Sequence, residues 1–378
     1  MGVDQLKGVP VQSLRVVTIA SAAYDSVGQG CETLPQLVLL LYLRLPMNDT
    51  PACGHPSANN GAATAGACAA AGVCSATGAG SGECALSGEL APISLGEALA
   101  RFERQASHGV CDTGRYHMPY FVWGEGPPLL FIHGVSDTGH SFLLPISRLS
   151  AQFRCIAYEL PSGQGDGARL NRYTHADLVQ DVWALLDHLR IPQSYVLGSS
   201  FGSTIALAAL HERPQRTPRG ILQGGLAWRP LRRAERFVAR VARLLPGRMA
   251  RLPLRERMID RVHSRPFTQR PLAVWKHFLE LTGRTPIRTL GYQAHWLDQV
   301  DLRPLLPEVR QPVLLVCGER DPLIGRAHEE MLLKGLPNAG RVMIEGCGHT
   351  PSYTHPEVLA EVVRQFLTPA PRPVGSSV

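Results

Sequence analysis

Tyr195-Val196-Leu197-Gly198-Ser199-Ser200-Phe201-Gly202-Ser203-Thr204-Ile205-Ala206-Leu207 is the stretch on which the fold turns. An apolar run enters it, a helix-forming run leaves it, and Gly-x-Ser-x-Gly stands between. Strand, sharp turn, helix is the context in which that pentapeptide reads as a nucleophile elbow. Gly198 and Gly202 remove side chains where strand and helix approach closely, and Ser200 is pushed to the tip with its hydroxyl exposed above a helix N-terminus. Ser199 adjoins it, but the phase of the motif selects Ser200. Five common residues carry little on their own, and their weight depends on partners elsewhere in the chain.

A serine hydroxyl needs a base to take its proton, and the base needs an orienting carboxylate. In this architecture the chain order is serine, acid, histidine. Downstream, Gln311-Pro312-Val313-Leu314-Leu315-Val316-Cys317 reads as a buried parallel strand and ends in Gly318-Glu319-Arg320-Asp321-Pro322. Asp321 then lies just past the carboxyl end of a strand, where open α/β sheets place functional groups. Glu319 competes with it, but Asp321 precedes the proline that fixes the turn. Asp301 is a third candidate and reads better as a helix cap. A further strand, Arg341-Val342-Met343-Ile344-Glu345, leads into Gly346-Cys347-Gly348-His349-Thr350-Pro351, so His349 faces the same cleft. Upstream, Pro127-Pro128-Leu129-Leu130-Phe131-Ile132 is a strand followed by His133-Gly134-Val135-Ser136. The backbone N–H groups of Val135 and Phe201 are the expected donors to the oxyanion that acyl transfer builds.

The segments Gly-Glu-Gly-Pro-Pro-Leu-Leu-Phe-Ile-His-Gly at 124–134, Gly-Ser-Ser-Phe-Gly at 198–202, Gly-Glu-Arg-Asp-Pro at 318–322 and Gly-Cys-Gly-His-Thr-Pro at 346–351 together resemble the α/β-hydrolase superfamily. The resemblance spans residues 94–367. It implies a mostly parallel sheet flanked by helices with an inserted helical cap, a Ser200–Asp321–His349 triad, and a structural role for His133. One stretch departs from the pattern. Glu159-Leu160-Pro161-Ser162-Gly163-Gln164-Gly165 stands where relatives commonly carry Asp and Gly-His-Gly, which alters a loop beside the site and leaves the chemistry intact.

The chain has 378 residues, ample for a large core, and divides unevenly. Residues 57–88 are dominated by Ala, Gly and Ser, which cannot bury enough apolar surface to order a chain, so they are expected to be disordered within a low-complexity N-terminal segment, 1–93, and much of 1–90 is expected to be dispensable. Nine cysteines in no regular pattern, with no basic-then-apolar leader, favour a reducing cytoplasm. Cys317 and Cys347 read as small buried fillers. No histidines have metal-ligand spacing, and His355 reads as a solvated residue at a helix start.

Strands alternate with helices through 94–224 and 297–378, the expected core. A helix opens at the Ser94-Leu95-Gly96-Glu97 capping box, a strand or hairpin covers 115–123, and a helix with Leu178, Val182, Leu185 and Leu189 on one face covers 173–189. Residues 225–296 interrupt the pattern and read as a helical basic cap. Between Arg229 and Arg284 there are 15 Lys and Arg against 4 Asp and Glu, more excess charge than the +7 of the whole chain. Ala234, Phe237, Val238, Val241 and Leu245 are expected to form one apolar face of the first cap helix, with Arg232, Arg233, Arg236, Arg240 and Arg243 off it. Three readings of the arginines stand open: a solvated face, contact with a membrane surface, or an electropositive lid drawing acidic substrates. No nucleic-acid module accompanies the charge. Trp228, Phe267, Trp275, Phe278 and Trp296 are candidates for an apolar underside to the cap.

Taken together, the residues point to a serine hydrolase acting on a small-molecule acyl substrate, an ester or lactone, through an acyl-enzyme. Carbon–carbon bond hydrolysis and acyl transfer use the same triad, and a binding role on the same scaffold is a fourth reading. The serine argues against relatives whose elbow carries Asp, the haloalkane dehalogenases and epoxide hydrolases. No cofactor is needed, because side chains supply nucleophile and base and backbone N–H groups supply the electrophile.

Overall fold

In the computed structural model, residues 72–73 and 90–368 are described. Their strands form one sheet of nine: β1 (Gly72–Val73), β2 (Ser107–Asp112), β3 (His117–Trp123), β4 (Pro128–Ile132), β5 (Arg154–Tyr158), β6 (Tyr195–Ser199), β7 (Gly220–Gln223), β8 (Val313–Gly318) and β9 (Ala339–Ile344). The order across the sheet is β1-β9-β8-β7-β6-β4-β5-β3-β2. From β5 to β9 neighbours run parallel, while β3 and β2 form an antiparallel hairpin at one edge and β1 pairs antiparallel with β9 at the other. The expectation for 1–93 falls almost wholly outside the described residues.

Period-two alternation decides how the sheet is covered. Leu130, Ile132, Ile156, Val196, Leu222 and Leu315 point to one face, under α3 (His175–His188) and α4 (Phe201–Glu212). Leu129, Phe131, Cys155, Leu197, Ile221 and Val316 point to the other, under α1 (Leu95–Gln105), α2 (Leu143–Leu149) and α11 (Pro356–Leu367). The central strands are therefore buried on both sides, as parallel sheets require. The helix starts follow local chemistry: the Ser94 hydroxyl accepts from the Glu97 N–H, and Thr174 and Asp177 cap α3 reciprocally.

The chain leaves this core after β7 and returns before β8. Between lie α5 (Arg233–Ala242), α6 (Arg255–Phe267), α7 (Leu272–Gly283) and α8 (Ile287–Gln299), with α9 (Arg326–Gly335) and α10 (Pro351–Thr354) following in the core. A bridge between Trp228 and Asp301 joins outgoing and returning chain, and the Arg303 guanidinium sits 3.9 Å above the Trp228 ring. Asp301 accepts from the Arg303 N–H at 3.1 Å. The neck of the insertion is thus at Trp228 and Asp301, and the boundary expected at 296 falls inside α8.

The inner face of α5 also differs from expectation. Val238, Ala239, Ala242 and Glu235 are buried, whereas Ala234 and Phe237 face outward. Apolarity alone misassigned the face because two alanines and a paired carboxylate, rather than the phenylalanine, pack inward. His355 is half-buried between α10 and α11, not solvated, and burial lowers its pKa to about 4.

Candidate active site

Ser200 occupies the turn from β6 into α4 with φ 51° and ψ −118°. A left-handed φ at a residue with a side chain costs roughly 1–3 kcal/mol and persists only where the surroundings enforce it. Here the two glycines allow the enforcement. A Cβ on Gly198 would lie 2.3 Å from the Gly202 carbonyl oxygen, and one on Gly202 would lie 2.2 Å from that of Ile132. Ser199 is held apart from the chemistry, its hydroxyl accepting from Gln223 Nε2 at 2.8 Å.

Asp321 and His349 meet beyond the ends of β8 and β9, with His349 Nδ1 2.7 Å from Asp321 Oδ2. The other Asp321 oxygen accepts from the N–H groups of Leu323 and Ile324 at 2.8 and 3.0 Å. Burial works to raise the Asp321 pKa, but His349 and these donors outweigh it and hold the carboxyl below its usual range. Burial likewise opposes protonation of His349, yet the carboxylates of Asp321 and Asp137 overcome it and raise its pKa above 6.5. Glu319 lies outside this arrangement and accepts from the Gly346 N–H. Nothing larger than glycine suits position 224, where φ is 52° and a Cβ would lie 3.0 Å from His349 Cε1.

The loop after β4 forms the opposite wall. A Cβ on Gly134 would lie 3.2 Å from that of Ser200, so the Gly134-Val135 backbone passes directly beside the serine. Phe201 opens α4, where backbone N–H groups lack intrahelical acceptors. His133 is buried; its Nε2 accepts from the Leu160 N–H at 3.0 Å, which leaves Nδ1 to donate to the Gly134 carbonyl at 2.9 Å. Glu159 accepts from the Gly139 N–H and lies 3.4 Å from His140. Both residues brace the loop. Cys317 and Cys347 are buried thiols, and burial pushes Cys347 up to about 12.

Ser200, His349 and Val135 all line a cleft of about 150 Å³ roofed by the insertion. Its walls are mostly apolar: Val238, Ala242, Met249 and Leu290, which pack in one cluster, together with Ile259 and Phe278. Most of the arginines point away. Arg229 lines the cleft but pairs with Glu235 at 3.2 Å, so the reading of an electropositive lid does not fit the interior. Of the five aromatics, Phe278 reaches the cleft, Phe267 and Trp275 stack behind it, and Trp296 is buried in the core.

Three residues escaped the sequence reading. Ser136 has φ 61°, and its N–H donates to Gln293 Oε1 of α8 at 3.0 Å, which ties the loop beside Ser200 to the roof. Asp137, hydrogen-bonded to Ser141 and Tyr353, has its pKa raised by burial and adds negative charge near His349. His263 of α6 lines the cleft with 7% exposure, and burial lowers its pKa to about 3, leaving a neutral ring. Each depends on a partner more than a hundred residues away, or on burial, so no local pattern marks it.

This arrangement of elbow, strand-end acid and strand-end histidine agrees with the wider comparison, in which the sequence model of the alpha/beta hydrolase fold matches residues 127–356. The chain belongs to the alpha/beta hydrolase fold family. Among relatives of this family, the magnesium-chelatase 30 kDa subunit of Rhodobacter capsulatus is 28% identical over 237 residues, covering 60% of this chain and 81% of that protein. The pimeloyl-[acyl-carrier protein] methyl ester esterase of Xanthomonas oryzae pv. oryzae is 27% identical over 261 residues, covering 66% and 98%. A solved hydrolase of Pseudomonas aeruginosa superposes with a TM-score of 0.62 at 22% identity, over 69% of this chain and 98% of that one, a likeness of fold. The family and the methyl ester esterase relative support a hydrolase. No helix among the described residues is long and apolar enough to cross a membrane.

Proposed function

We propose that this alpha/beta hydrolase cleaves a carboxylic ester or lactone through a covalent acyl-enzyme at Ser200. The observation that carries the reading is the elbow at Ser200, strained to φ 51°, sharing one cleft with a His349 already bonded to Asp321. With Nδ1 of His349 donating to Asp321, Nε2 is the nitrogen left to accept the serine proton. Ser200 Oγ attacks the carbonyl carbon, its proton passes to Nε2, and the carbonyl oxygen becomes an oxyanion held by the N–H groups of Val135 and Phe201. Collapse breaks the bond to the alcohol oxygen, which leaves with the proton from Nε2. Water then attacks the acyl carbon, gives a proton to Nε2, and the acid departs as that proton returns to Ser200.

An ester fits better than the alternatives on two grounds. A relative named as a methyl ester esterase matches 66% of this chain. The cleft is apolar, which suits an acyl chain, and its one cation-bearing wall is neutralised by Glu235. The acid expected on release carries charge the apolar cleft does not stabilise, which favours its departure.

The test is labelling of the folded protein with a fluorophosphonate, followed by a panel of esters and lactones. Covalent labelling that disappears in Ser200→Ala, with acid released from an ester at the same dependence on Ser200, is expected. Labelling that persists in Ser200→Ala, or a folded protein that neither labels nor turns over any ester, overturns the reading.

A further inference from the structure

Among the described residues, five large hydrophobic side chains are conspicuously exposed, and four of them, Phe237, Leu244, Leu254 and Leu272, lie in the insertion. Phe237 is 59% exposed and Leu244 84%. They are seven apart, two helical turns, and backbone bonds Arg243 N to Ala239 O and Leu244 N to Val241 O carry the helical course past the end of α5. They therefore share one side of that helix. Arg233 and Arg240 stand four before and three after Phe237, on the same side, and are exposed. Neither has a carboxylate within ion-pair distance among the described residues. The acids nearby are engaged elsewhere: Glu235 faces inward to Arg229, and Asp298 is taken by Arg236.

We propose that this outward side of α5 docks the protein on an anionic lipid surface. An exposed apolar pair flanked by arginines is what an interfacial helix presents: the side chains enter the acyl boundary while the guanidinium groups meet phosphate. Charge selects the occupant. The segment from Arg229 to Arg284 carries 15 basic against 4 acidic residues, which would repel a second copy of the same face and attract a negatively charged one. The opposite side of the same helix, through Val238, Ala239 and Ala242, lines the cleft over Ser200. Docking would place that cleft within about one helix diameter, roughly 10–12 Å, of the lipid. The proposal stands on this surface alone and does not depend on the role of Ser200.

Co-sedimentation of the full chain with vesicles tests it. Binding to vesicles of mixed phosphatidylcholine and phosphatidylglycerol, weak on phosphatidylcholine alone and weakened by salt, is expected. The Arg233→Gln/Arg240→Gln variant should bind about 25-fold less tightly, at about fivefold per arginine near a charged surface. Phe237→Ser/Leu244→Ser should lose about tenfold or more. Both variants should melt close to the parental temperature, since all four side chains are largely exposed. Equal binding to both lipid compositions, folded variants that bind as the parent does, or a parental dimer that the serine variant dissociates without any lipid binding would each overturn the proposal.

Discussion

The carboxyl end of the sheet and the insertion above it face the same cleft and are built by opposite rules. At the carboxyl ends of the strands the polar groups that frame Ser200 are committed: Asp321 to three donors, His133 to two backbone groups, Ser199 to Gln223. Backbone strain at Ser200 and Ser136 is locked in place by close glycine contacts and hydrogen bonds. The insertion instead offers the cleft mostly apolar side chains, one neutral imidazole and the Arg229–Glu235 pair, and turns most of its remaining charge outward. On the proposed mechanism, chemistry and selection are then separated by layer. Changes in the first should alter the rate for every substrate, and changes in the second should alter which substrate is preferred.

The largest effect that would break this contrast is at the acid. Asp321→Asn should lower kcat by about 10³–10⁴ for all esters alike, because the imidazole loses its orienting carboxylate. Steady-state kinetics on short and long acyl esters checks it; a loss confined to one chain length would put Asp321 on the selective side. Next, Ala294→Phe, on the cleft side of α8, should cut kcat/KM for long acyl chains about tenfold while leaving acetate esters and fluorophosphonate labelling near parental. A uniform loss would show that the roof shares in the chemistry.

The smallest expected effect sharpens the contrast through pH. Asp321 and Asp137 raise the His349 pKa against its burial, and His263 across the cleft stays neutral. On the proposed mechanism the neutral His349 ring is the base, so kcat/KM should rise with pH through a midpoint above the ordinary value of about 6.5. Removing a charge that favours the imidazolium must lower that midpoint. Asp137→Asn should therefore move it downward. A pH–rate profile unmoved in a folded, active Asp137→Asn would exclude Asp137 from the titration.

How much of this was legible beforehand follows the same division. The elbow, the acid and the histidine are short-range patterns pinned to strand ends, so residue order alone locates them. The edge strand β2 was missed because its sequence, Ser107-His108-Gly109-Val110-Cys111-Asp112, is exposed nearly throughout and buries only Cys111. The inner face of α5 was misread by about one position, since small alanines against α8 pack closer than Phe237 could. Ser136, Asp137 and His263 were invisible because long-range packing, not spacing, gives them neighbours.

The bond from Ser136 to Gln293 has a further consequence for timing. The loop presenting the Val135 N–H is fastened to the roof through the next residue, so lifting α8 away from the sheet also releases one wall of the anion cradle. Were the roof to lift and admit substrate, the brace on this wall would be lost, so substrate entry and acylation would be coupled through Gln293. Gln293→Ala, read by rapid mixing, should uncouple the two by slowing acylation while leaving the rate of substrate capture unchanged.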